Sequence, residues 1–445
     1  MPYLIGLDLG TSALKAALID GKGRMRAECS MPSCLMIDGD RVEFDAEAHY
    51  ADVCALIREL ASQAPEPVAA LSMAVAAGNT LLADETGKPL TPVTSWLDNR
   101  GRPADRLPLL RDLDEKALWR LTGWPCLDFF PLAHLARFAA EEPELYRRAA
   151  MVMQSHEYLN FRWTGKRVLD YSCATPQRLV DQVRRCYSPE LLAHFNLSEK
   201  QLPRLVDSGT VIGPLSAAAQ RDTGLGPGAL VIAGSFDHPG AALGAGIDDC
   251  GELLLSCGTS WVGFFPHQKR EEILNANLLC DSFRSGEKGP WAALFSIPCL
   301  GRELDDWVLR FVAPDAPEPF REFDRLAAEV PPGTAIPAID FAAPEETLGG
   351  LDRAVAARAV MEFAAGEVAK KLAELRKSGM MFKRATLVGG ASRSPVWPGI
   401  VADRTGLAIT SASRLAGARG AAMMAGIGIG WFRDRADAIK QSMEE

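Results

Sequence analysis

The amino-acid sequence predicts an α/β protein of two domains, because one strand–turn–strand pattern occurs twice in a chain of 445 residues. The first copy has apolar runs at residues 3–8 and 14–20 on either side of a Gly-Thr-Ser turn, residues 10–12. The second copy has an apolar run at residues 253–255, followed by the Gly-Thr-Ser turn at residues 258–260. A chain of this length is too long for one typical core, so each copy is expected to belong to its own domain.

Strand and helix patterns follow one another in both halves of the chain. Residues 45–61 have apolar side chains at helical spacing, and the apolar run at residues 68–75 predicts a buried strand. In the second half, the apolar stripe at residues 348–375 predicts a helix and residues 385–388 predict a strand. Strands followed by helices in each half predict a mixed sheet with helices packed on it.

The overall charge and hydropathy restrict the kinds of partner that this chain can have. The net charge of −9 and the pI of about 5.4 argue against non-specific binding to nucleic acid or to acidic membranes. No apolar run is long enough to span a membrane, and the first residues read as a strand and not as a signal peptide, so we expect a cytoplasmic protein. The ten cysteines include no C-x-x-C pair, which predicts reduced thiols and neither a disulfide framework nor a zinc site.

The first Gly-Thr-Ser turn has the composition of a phosphate-binding turn. Gly10, Thr11 and Ser12 offer backbone N–H groups and hydroxyls to an anion. Asp8 and Lys15, at the two ends of the turn, add a carboxylate for a metal ion and an ammonium for a phosphate. The same residues could also form an ordinary hairpin in which Asp8 is only a solvated strand end. The second copy of the pattern favours the phosphate-binding interpretation.

Two further polar positions follow predicted strands, and each allows two interpretations. Trp96, Asp98 and Arg100 form either a polar surface loop or a sugar pocket, in which the indole offers a flat apolar face and the charged groups bind hydroxyls. Asp237 follows a buried strand and precedes a segment rich in Gly and Ala. It is therefore either a plain helix N-cap or a carboxylate beside a closely approaching ligand.

Four segments, taken in order along the chain, resemble those of the FGGY carbohydrate kinases, which are relatives of actin, hexokinase and the heat-shock chaperone ATPases. These segments are residues 8–15, 96–100, 258–260 and 389–394. The resemblance covers nearly the whole chain and implies two ribonuclease H-like domains, each a mixed β-sheet flanked by helices, with an interdomain cleft. Residues 1–245 would form the sugar-binding domain with the first phosphate turn, and residues 246–445 would form the nucleotide-binding domain.

The resemblance also implies a reaction, the ATP-dependent phosphorylation of a sugar or polyol hydroxyl with Mg²⁺. Asp237 would then be the general base, and Asp8 would bind the metal. The residues expected to bind the phosphates are Gly10, Thr11, Ser12, Lys15, Gly258 and Thr259. Those expected to border the adenosine are Gly389, Gly390 and Ser394. Those expected to contact the sugar are Asn79, Trp96, Asp98, Asp237 and His238.

Some residues depart from the pattern of xylulose-type members, so the acceptor stays open. Small residues at 75–77 stand where those members carry Gln-Met-His, and His238 stands where a smaller polar residue is usual. We therefore expect a pentulose-like ketose or a polyol, and not D-xylulose itself. A non-catalytic sugar or nucleotide sensor of the same fold is the alternative function. A homodimer is compatible with the resemblance, but no segment indicates an interface.

Overall fold

The chain folds into two compact α/β units. The computed structural model describes residues 2–125, 128–282, 290–331, 334–413 and 415–443. Unit 1 comprises Met1–Asp248, Leu279–Ala292 and Leu415–Glu445, and unit 2 comprises Asp249–Leu278 and Ala293–Arg414. Each unit contains a β-sheet and several helices, which confirms the predicted two-domain α/β fold.

The regular elements alternate along both units. The strands are β1 Tyr3–Leu9, β2 Ala13–Ile19, β3 Met25–Pro32, β4 Met36–Asp38, β5 Arg41–Phe44, β6 Val68–Val75, β7 Leu81–Ala83, β8 Val93–Thr94, β9 Met151–Met153, β10 Val168–Asp170, β11 Val180–Asp181, β12 Cys186–Tyr187, β13 Arg204–Val206, β14 Val211–Pro214, β15 Leu230–Ile232, β16 Ser235–Phe236, β17 Glu252–Cys257, β18 Trp261–His267, β19 Leu279–Asp281, β20 Trp291–Ile297, β21 Arg384–Gly389 and β22 Ala408–Ser411. The α-helices are α1 Ala46–Gln63, α2 Pro108–Arg111, α3 Glu115–Thr122, α4 Pro131–Glu141, α5 Pro143–Arg148, α6 Ser155–Thr164, α7 Tyr171–Gln177, α8 Pro189–His194, α9 Ala217–Thr223, α10 Asp237–Gly244, α11 Arg270–Asn275, α12 Leu300–Trp307, α13 Pro319–Glu329, α14 Pro344–Leu348, α15 Arg353–Lys377, α16 Trp397–Thr405, α17 Ala416–Gly428 and α18 Arg435–Met443.

The main sheet of unit 1 is mixed and has β1 near its centre. Its strand order is β14-β15-β6-β1-β2-β3. Strand β1 pairs antiparallel with β2 and parallel with β6, and β6 pairs parallel with β15. Its apolar side chains are buried on both faces, as expected for a central strand covered by helices.

The sheet of unit 2 repeats this plan. Its strands follow the order β20-β18-β17-β21-β22, so β17 corresponds to β1 and β18 to β2. Strand β17 pairs antiparallel with β18 and parallel with β21, and β21 pairs parallel with β22. The two predicted hairpins therefore occupy the same place in two related sheets.

Local sequence explains the helices that cover these sheets. In α1, the side chain of Asp45 accepts a hydrogen bond from the N–H of Ala48 and so caps the helix. The buried positions of α1 include Tyr50, Val53, Ile57 and Leu60, which are spaced at three or four residues, as the sequence predicts. Across the described residues, none of the helices combines the length and the apolar character that a membrane span requires.

Helix α17 belongs to unit 1, although it lies in the segment 246–445 that was expected to form the second domain. The cause is close backbone packing, which only glycine allows. A Cβ at Gly6 of β1 would lie 1.9 Å from the carbonyl oxygen of Ala418, and a Cβ at Gly244 of α10 would lie 1.9 Å from that of Ala416. The chain thus returns to the first sheet after completing unit 2.

Candidate active site

The first Gly-Thr-Ser turn, residues Gly10, Thr11 and Ser12 (turn 1), connects β1 to β2. The hairpin register places Asp8 directly opposite Lys15, and the Lys15 ammonium donates a hydrogen bond of 3.3 Å to an oxygen of the Asp8 carboxylate. The turn is closed by the N–H of Gly10, which donates to the carbonyl of Ala13 at 3.2 Å. The predicted pairing of a carboxylate and an ammonium at the ends of the turn is therefore present.

Asp8 is confined and electrostatically coupled to a second acid. Burial raises the pKa of Asp8, Lys15 lowers it, and the negative charge of Asp237 raises it again. Helix α17 passes so close that a Cβ at Gly417 would lie 2.7 Å from the Asp8 carboxyl carbon. Two carboxylates, separated by more than 200 residues in the sequence, thus lie within electrostatic range of one another in unit 1.

Asp237 is the first residue of α10 and follows β16. The side chain of Asp237 is 33% exposed, and one of its oxygens accepts a hydrogen bond from the N–H of His238 at 2.8 Å. The N-cap position belongs to Phe236, and no side-chain cap is formed there. The hypothesis of Asp237 as a plain N-cap therefore finds no support in the hydrogen bonding, and its second oxygen has room for another partner.

A small cavity of about 30 Å³ adjoins turn 1. Its lining includes the turn residues Gly10 and Thr11 together with Asn79 and Trp96. The indole N–H of Trp96 donates to the hydroxyl of Thr11 at 2.8 Å, and the ring stacks on Phe130 with a centroid separation of 6.3 Å. Trp96 therefore joins the wall of this cavity to the turn.

Two of the predicted sugar contacts have their polar atoms engaged. Asn79 lines the cavity, but its carbonyl oxygen accepts the N–H of Ser155 at 2.6 Å and its amide donates to the hydroxyl of Ser155 at 3.1 Å. Asp98 is 1% exposed and does not line the cavity. Its oxygens accept from Arg100 and from the N–H of Val42, and these hydrogen bonds outweigh burial and lower the pKa of Asp98.

The hydrogen bonding of Asp98 thus does not support its predicted role as a sugar contact. Arg100 also pairs with Glu43, so the three charged side chains form a closed cluster that fixes the loop after β8. A carboxylate that is already paired and hydrogen-bonded in this way has no oxygen to offer to a ligand. The cluster that looked like a binding site in the sequence has a structural role.

The second Gly-Thr-Ser turn, Gly258, Thr259 and Ser260 (turn 2), borders a larger cavity of about 330 Å³ in unit 2. Of the residues predicted from the sequence, Gly258, Thr259, Gly390 and Ser394 line it. Gly389 lies behind the wall with φ = +91°, where a Cβ would approach the carbonyl oxygen of Cys257 to 2.6 Å. The turn after β17 and the turn after β21 thus share one cavity, as parallel neighbouring strands require.

Other residues of this cavity lie outside the predicted set of nucleotide-binding residues. Its lining also contains Gly301, Phe323, Asp324 and Trp397. The hydroxyl of Ser394 donates to the Asp324 carboxylate at 2.6 Å, and burial raises the pKa of Asp324. The sequence analysis missed Asp324 because it lies 70 residues from Ser394 in the middle of a helix.

Gly301 allows α12 to pass directly against turn 2. A Cβ at Gly301 would lie 1.9 Å from the carbonyl oxygen of Gly258. The N–H of Arg302 donates to the carbonyl of Thr259 at 3.1 Å, and the N–H of Cys299 donates to the hydroxyl of Ser260 at 3.1 Å. Both hydrogen bonds fix the turn from one side and leave its own N–H groups available.

Two sheets of the same strand order, each with a Gly-Thr-Ser hairpin turn beside a cavity, define the class of this protein as a two-domain α/β protein with a duplicated candidate anion-binding turn. Comparison with known families identifies the family within this class. The model of the N-terminal domain of the FGGY family of carbohydrate kinases matches residues 3–244, and the model of the C-terminal domain of the same family matches residues 253–429. The chain belongs to the FGGY family of carbohydrate kinases, whose members take phosphate from ATP.

Individual relatives extend over nearly the whole chain. The xylulose kinase of Bacillus subtilis (strain 168) is 26% identical over 465 residues, which cover 100% of this chain and 92% of that protein. The autoinducer-2 kinase of Klebsiella pneumoniae subsp. pneumoniae is 27% identical and covers 98% of this chain and 87% of its own length. The crystal structure of xylulose kinase from Rhodospirillum rubrum superposes with a TM-score of 0.86 at 26% identity, over 98% of this chain and 92% of that one.

Proposed function

We propose that this carbohydrate kinase transfers the γ-phosphate of Mg-ATP to a hydroxyl group of a neutral ketose of pentulose size. Asp237 is the general base in this proposal, and turn 1 binds the phosphate that is transferred. The observation that supports it most strongly is the electrostatic coupling of Asp8 with Asp237 beside turn 1. Phosphoryl transfer needs an oriented hydroxyl and positive charge on the phosphates, and both requirements have candidate residues here.

Asp237 is suited to accept a proton from the sugar. It is partly exposed, and the hydrogen bond that its side chain accepts among the described residues comes from the N–H of His238. A carboxylate with a free oxygen can accept the hydroxyl proton as the oxygen attacks phosphorus. His238, whose imidazole Nε2 lies 3.9 Å from the same carboxylate, would then stand beside the acceptor and influence its choice.

The residues around Asp8 fit a hydrated Mg²⁺ ion. The Asp8 carboxylate forms an ion pair with Lys15. Gly417 leaves the space beside this carboxylate free of a side chain. Magnesium prefers carboxylate oxygen and keeps several of its waters. When bound, the ion would neutralise charge on the phosphate oxygens. Lys15 would place its ammonium at the transferred group, and the N–H groups of turn 1 would bind phosphate oxygens.

The cavity of unit 2 is the proposed site of the nucleoside. The backbone at Gly390 and the hydroxyl of Ser394 line it, and aromatic side chains such as Trp397 give it an apolar wall. A cavity of about 330 Å³ lies at the lower end of the range for small-molecule sites. We assign Asp324 to the ribose, because its carboxylate carries only the Ser394 hydrogen bond among the described contacts.

The cavity beside turn 1 holds only about 30 Å³, which is less than a pentulose needs, so the proposal of a neutral acceptor rests on the chemistry of the lining residues and not on the volume. The residues that line it are Leu9, Gly10, Thr11, Ser33, Leu35, Phe44, His49, Ala76, Asn79, Ser95, Trp96 and Ser155, and these include neither lysine nor arginine. An anionic sugar acid needs a cation in its pocket, whereas a neutral sugar needs hydroxyls, amides and an aromatic face. The names of the two relatives, a xylulose kinase and an autoinducer-2 kinase, agree with small hydroxylated acceptors.

The test is an ADP-release assay with a panel of pentuloses, hexuloses, tetritols and glycerol. One neutral ketose should stimulate ADP release by the native protein, and Asp237→Ala should abolish that stimulation while nucleotide binding survives. Asp249→Asn is the matched control, because Asp249 is exposed and lies outside both cavities. Unchanged turnover in Asp237→Ala would remove Asp237 from its role. Absence of any sugar-stimulated turnover in the native protein would favour a sensor of the same fold.

A further inference from the structure

A second group of chemically reactive side chains lies in unit 1, outside both cavities. It consists of His156 in the first turn of α6, Asp170 at the end of β10, and Cys173 in the first turn of α7. One ligand atom of each residue lies within 4.8 Å of the other two. The three residues are only 3%, 3% and 0% exposed. We name this group the buried triad.

His156 has an unexplained position in this triad. Neither of its ring nitrogens has a hydrogen-bond partner among the described residues, although both are buried. Burying a polar group without a partner costs free energy, so such groups are rare in folded proteins. Burial also lowers the pKa of His156 to about 3, which keeps the imidazole neutral. The neutral imidazole is the form that binds metal ions.

The surroundings of the triad contain more acid than base. Among the described residues, neither carboxylate oxygen of the buried Glu157 has a hydrogen-bond partner. Burial raises the pKa of Glu157, the charge of Asp170 raises it further, and the charge of Glu157 in turn acts on Cys173. Burial raises the pKa of Asp170 to about 6 and that of Cys173 well above its usual range. Arg167 is the cation whose charge acts on Glu157. A divalent cation would compensate these groups and provide the partner that His156 lacks.

We propose that His156, Asp170 and Cys173 bind a divalent transition-metal ion of the zinc type. The combination of a thiolate, an imidazole and a carboxylate suits zinc, whereas magnesium and calcium prefer oxygen alone. Ligand atoms around tetrahedral zinc lie about 3.5 Å apart, so side-chain movements of about 1 Å would close the triad. Binding converts the Cys173 thiol to the thiolate and releases its proton to solvent.

The proposed ion has a structural role and is separate from the Mg²⁺ proposed at Asp8. Ser155, which precedes His156, lines the cavity beside turn 1 and donates its N–H to Asn79. Ser172, which precedes Cys173, accepts a hydrogen bond of 3.4 Å from the N–H of Phe236, the residue before Asp237. Metal binding would therefore tie together α6 and α7, which support both of these positions.

The test measures metal bound to the full-length chain. The chain is stripped with a chelator, reloaded with Zn²⁺, dialysed and analysed by mass spectrometry for metals. About one zinc ion per chain is expected for the native protein. The same content is expected for the control Cys54→Ser, which also changes a buried cysteine but lies outside the triad. Cys173→Ser should retain almost none. Equal retention by Cys173→Ser and the native protein would overturn the proposal.

A second measurement decides the question if Cys173→Ser does not fold. Co²⁺ added to the stripped native protein should give the thiolate-to-cobalt absorption band and the intense visible bands of a tetrahedral site. Zn²⁺ should also raise the unfolding temperature of the stripped protein, and Mg²⁺ at the same concentration should not. A stripped native protein that shows neither the cobalt bands nor a zinc-dependent rise in unfolding temperature would disprove the site.

Discussion

Turn 1 and turn 2 have the same position in their sheets but differ in charge and length. The loop between the paired Leu9 and Leu14 comprises turn 1 and Ala13, and the next pair below it is Asp8 with Lys15. Turn 2 spans residues 258–260 between Cys257 and Trp261, and the next pair is Ser256 with Val262. An ion pair in one hairpin thus stands where the other has two uncharged residues.

The helices behind the two turns differ in the group for which their glycine leaves space, which is charged at turn 1 and uncharged at turn 2. Behind turn 1, Gly417 of α17 leaves space for the Asp8 carboxylate, whereas behind turn 2, Gly301 of α12 leaves space for a backbone carbonyl. We infer that turn 1 responds to the charge that changes during the reaction, and that turn 2 offers neutral backbone donors to phosphate groups that do not react. In this inference, the hairpin of unit 1 carries the charged groups of the reaction and the hairpin of unit 2 does not.

The strongest test of this difference removes the charge from one hairpin and a polar group from the other. Asp8→Asn keeps the shape of the side chain but removes its negative charge, and should lower kcat by about 10²–10³-fold. Ser256→Ala at the corresponding position of β17 should change kcat by less than about 3-fold, because no ionised group is lost. Steady-state ADP release measures both. Similar losses in the two variants would contradict the proposed specialisation.

A second test adds a methyl group to the helix behind each turn and leaves the turn residues unchanged. Gly417→Ala introduces a Cβ about 2.7 Å from the Asp8 carboxyl carbon and should lower kcat by roughly 10–100-fold with little change in nucleotide affinity. Gly301→Ala introduces a Cβ 1.9 Å from the Gly258 carbonyl oxygen and should instead weaken nucleotide binding by about 10-fold. Calorimetric titration with ATP and steady-state kinetics separate the two effects. Gly399→Ala is the control, since nothing lies within 4 Å of its Cβ position.

A third test concerns the connection between turn 1 and its cavity. Trp96→Phe removes the N–H that donates to Thr11, and the loss of one neutral hydrogen bond corresponds to about 0.5–1.5 kcal/mol. We therefore expect kcat/KM for the acceptor to fall by roughly 2–13-fold. Trp119→Phe should have no such effect, because the Trp119 N–H has no hydrogen-bond partner among the described residues. An unchanged kcat/KM in Trp96→Phe would show that turn 1 does not depend on this contact.

The smallest expected effect is on stability and concerns an acid of unit 1. Burial raises the pKa of Asp281 to about 7, although the hydroxyl of Ser172 donates to it at 2.9 Å and lowers the pKa. Because the folded-state pKa lies above the unfolded value of about 3.9, the stabilisation is present in acid and is lost as the pH rises from about 4 to about 7. The native unfolding temperature should therefore decline from about pH 5 to about pH 8 more steeply than that of Asp281→Asn. Parallel curves for the two proteins would contradict the assignment.

Local patterns in the sequence were sufficient for the hairpins and for the acid–base pair of turn 1. Asp8 and Lys15 are seven residues apart, and strand alternation alone brings them to one face of a hairpin. Trp96 lines the cavity beside turn 1, and its role as a sugar contact stays a prediction. Contacts between residues that are close in the sequence can therefore be predicted from local patterns.

Tertiary contacts decide the remaining residues, and the sequence contains no sign of them. Asp98 has the composition of a sugar ligand, but Glu43 and the N–H of Val42, more than 50 residues away, engage the cluster around it. Asp324 lies on the exposed pattern of a helix and acquires its place in the cavity only through Ser394. Gly417 stands among many small residues of α17, and nothing but its contact with Asp8 distinguishes it.

The return of α17 to the first sheet also bears on how the protein is made. Strand β1 precedes unit 2 in the chain, but the helix that packs on β1, Ala416–Gly428, follows unit 2, so all of unit 2 is translated before that packing can form. Domains generally fold as units during synthesis, with the N-terminal one first. Here, the N-terminal unit can complete the packing on its sheet only after unit 2 has been synthesised, so the two units cannot fold strictly one after the other.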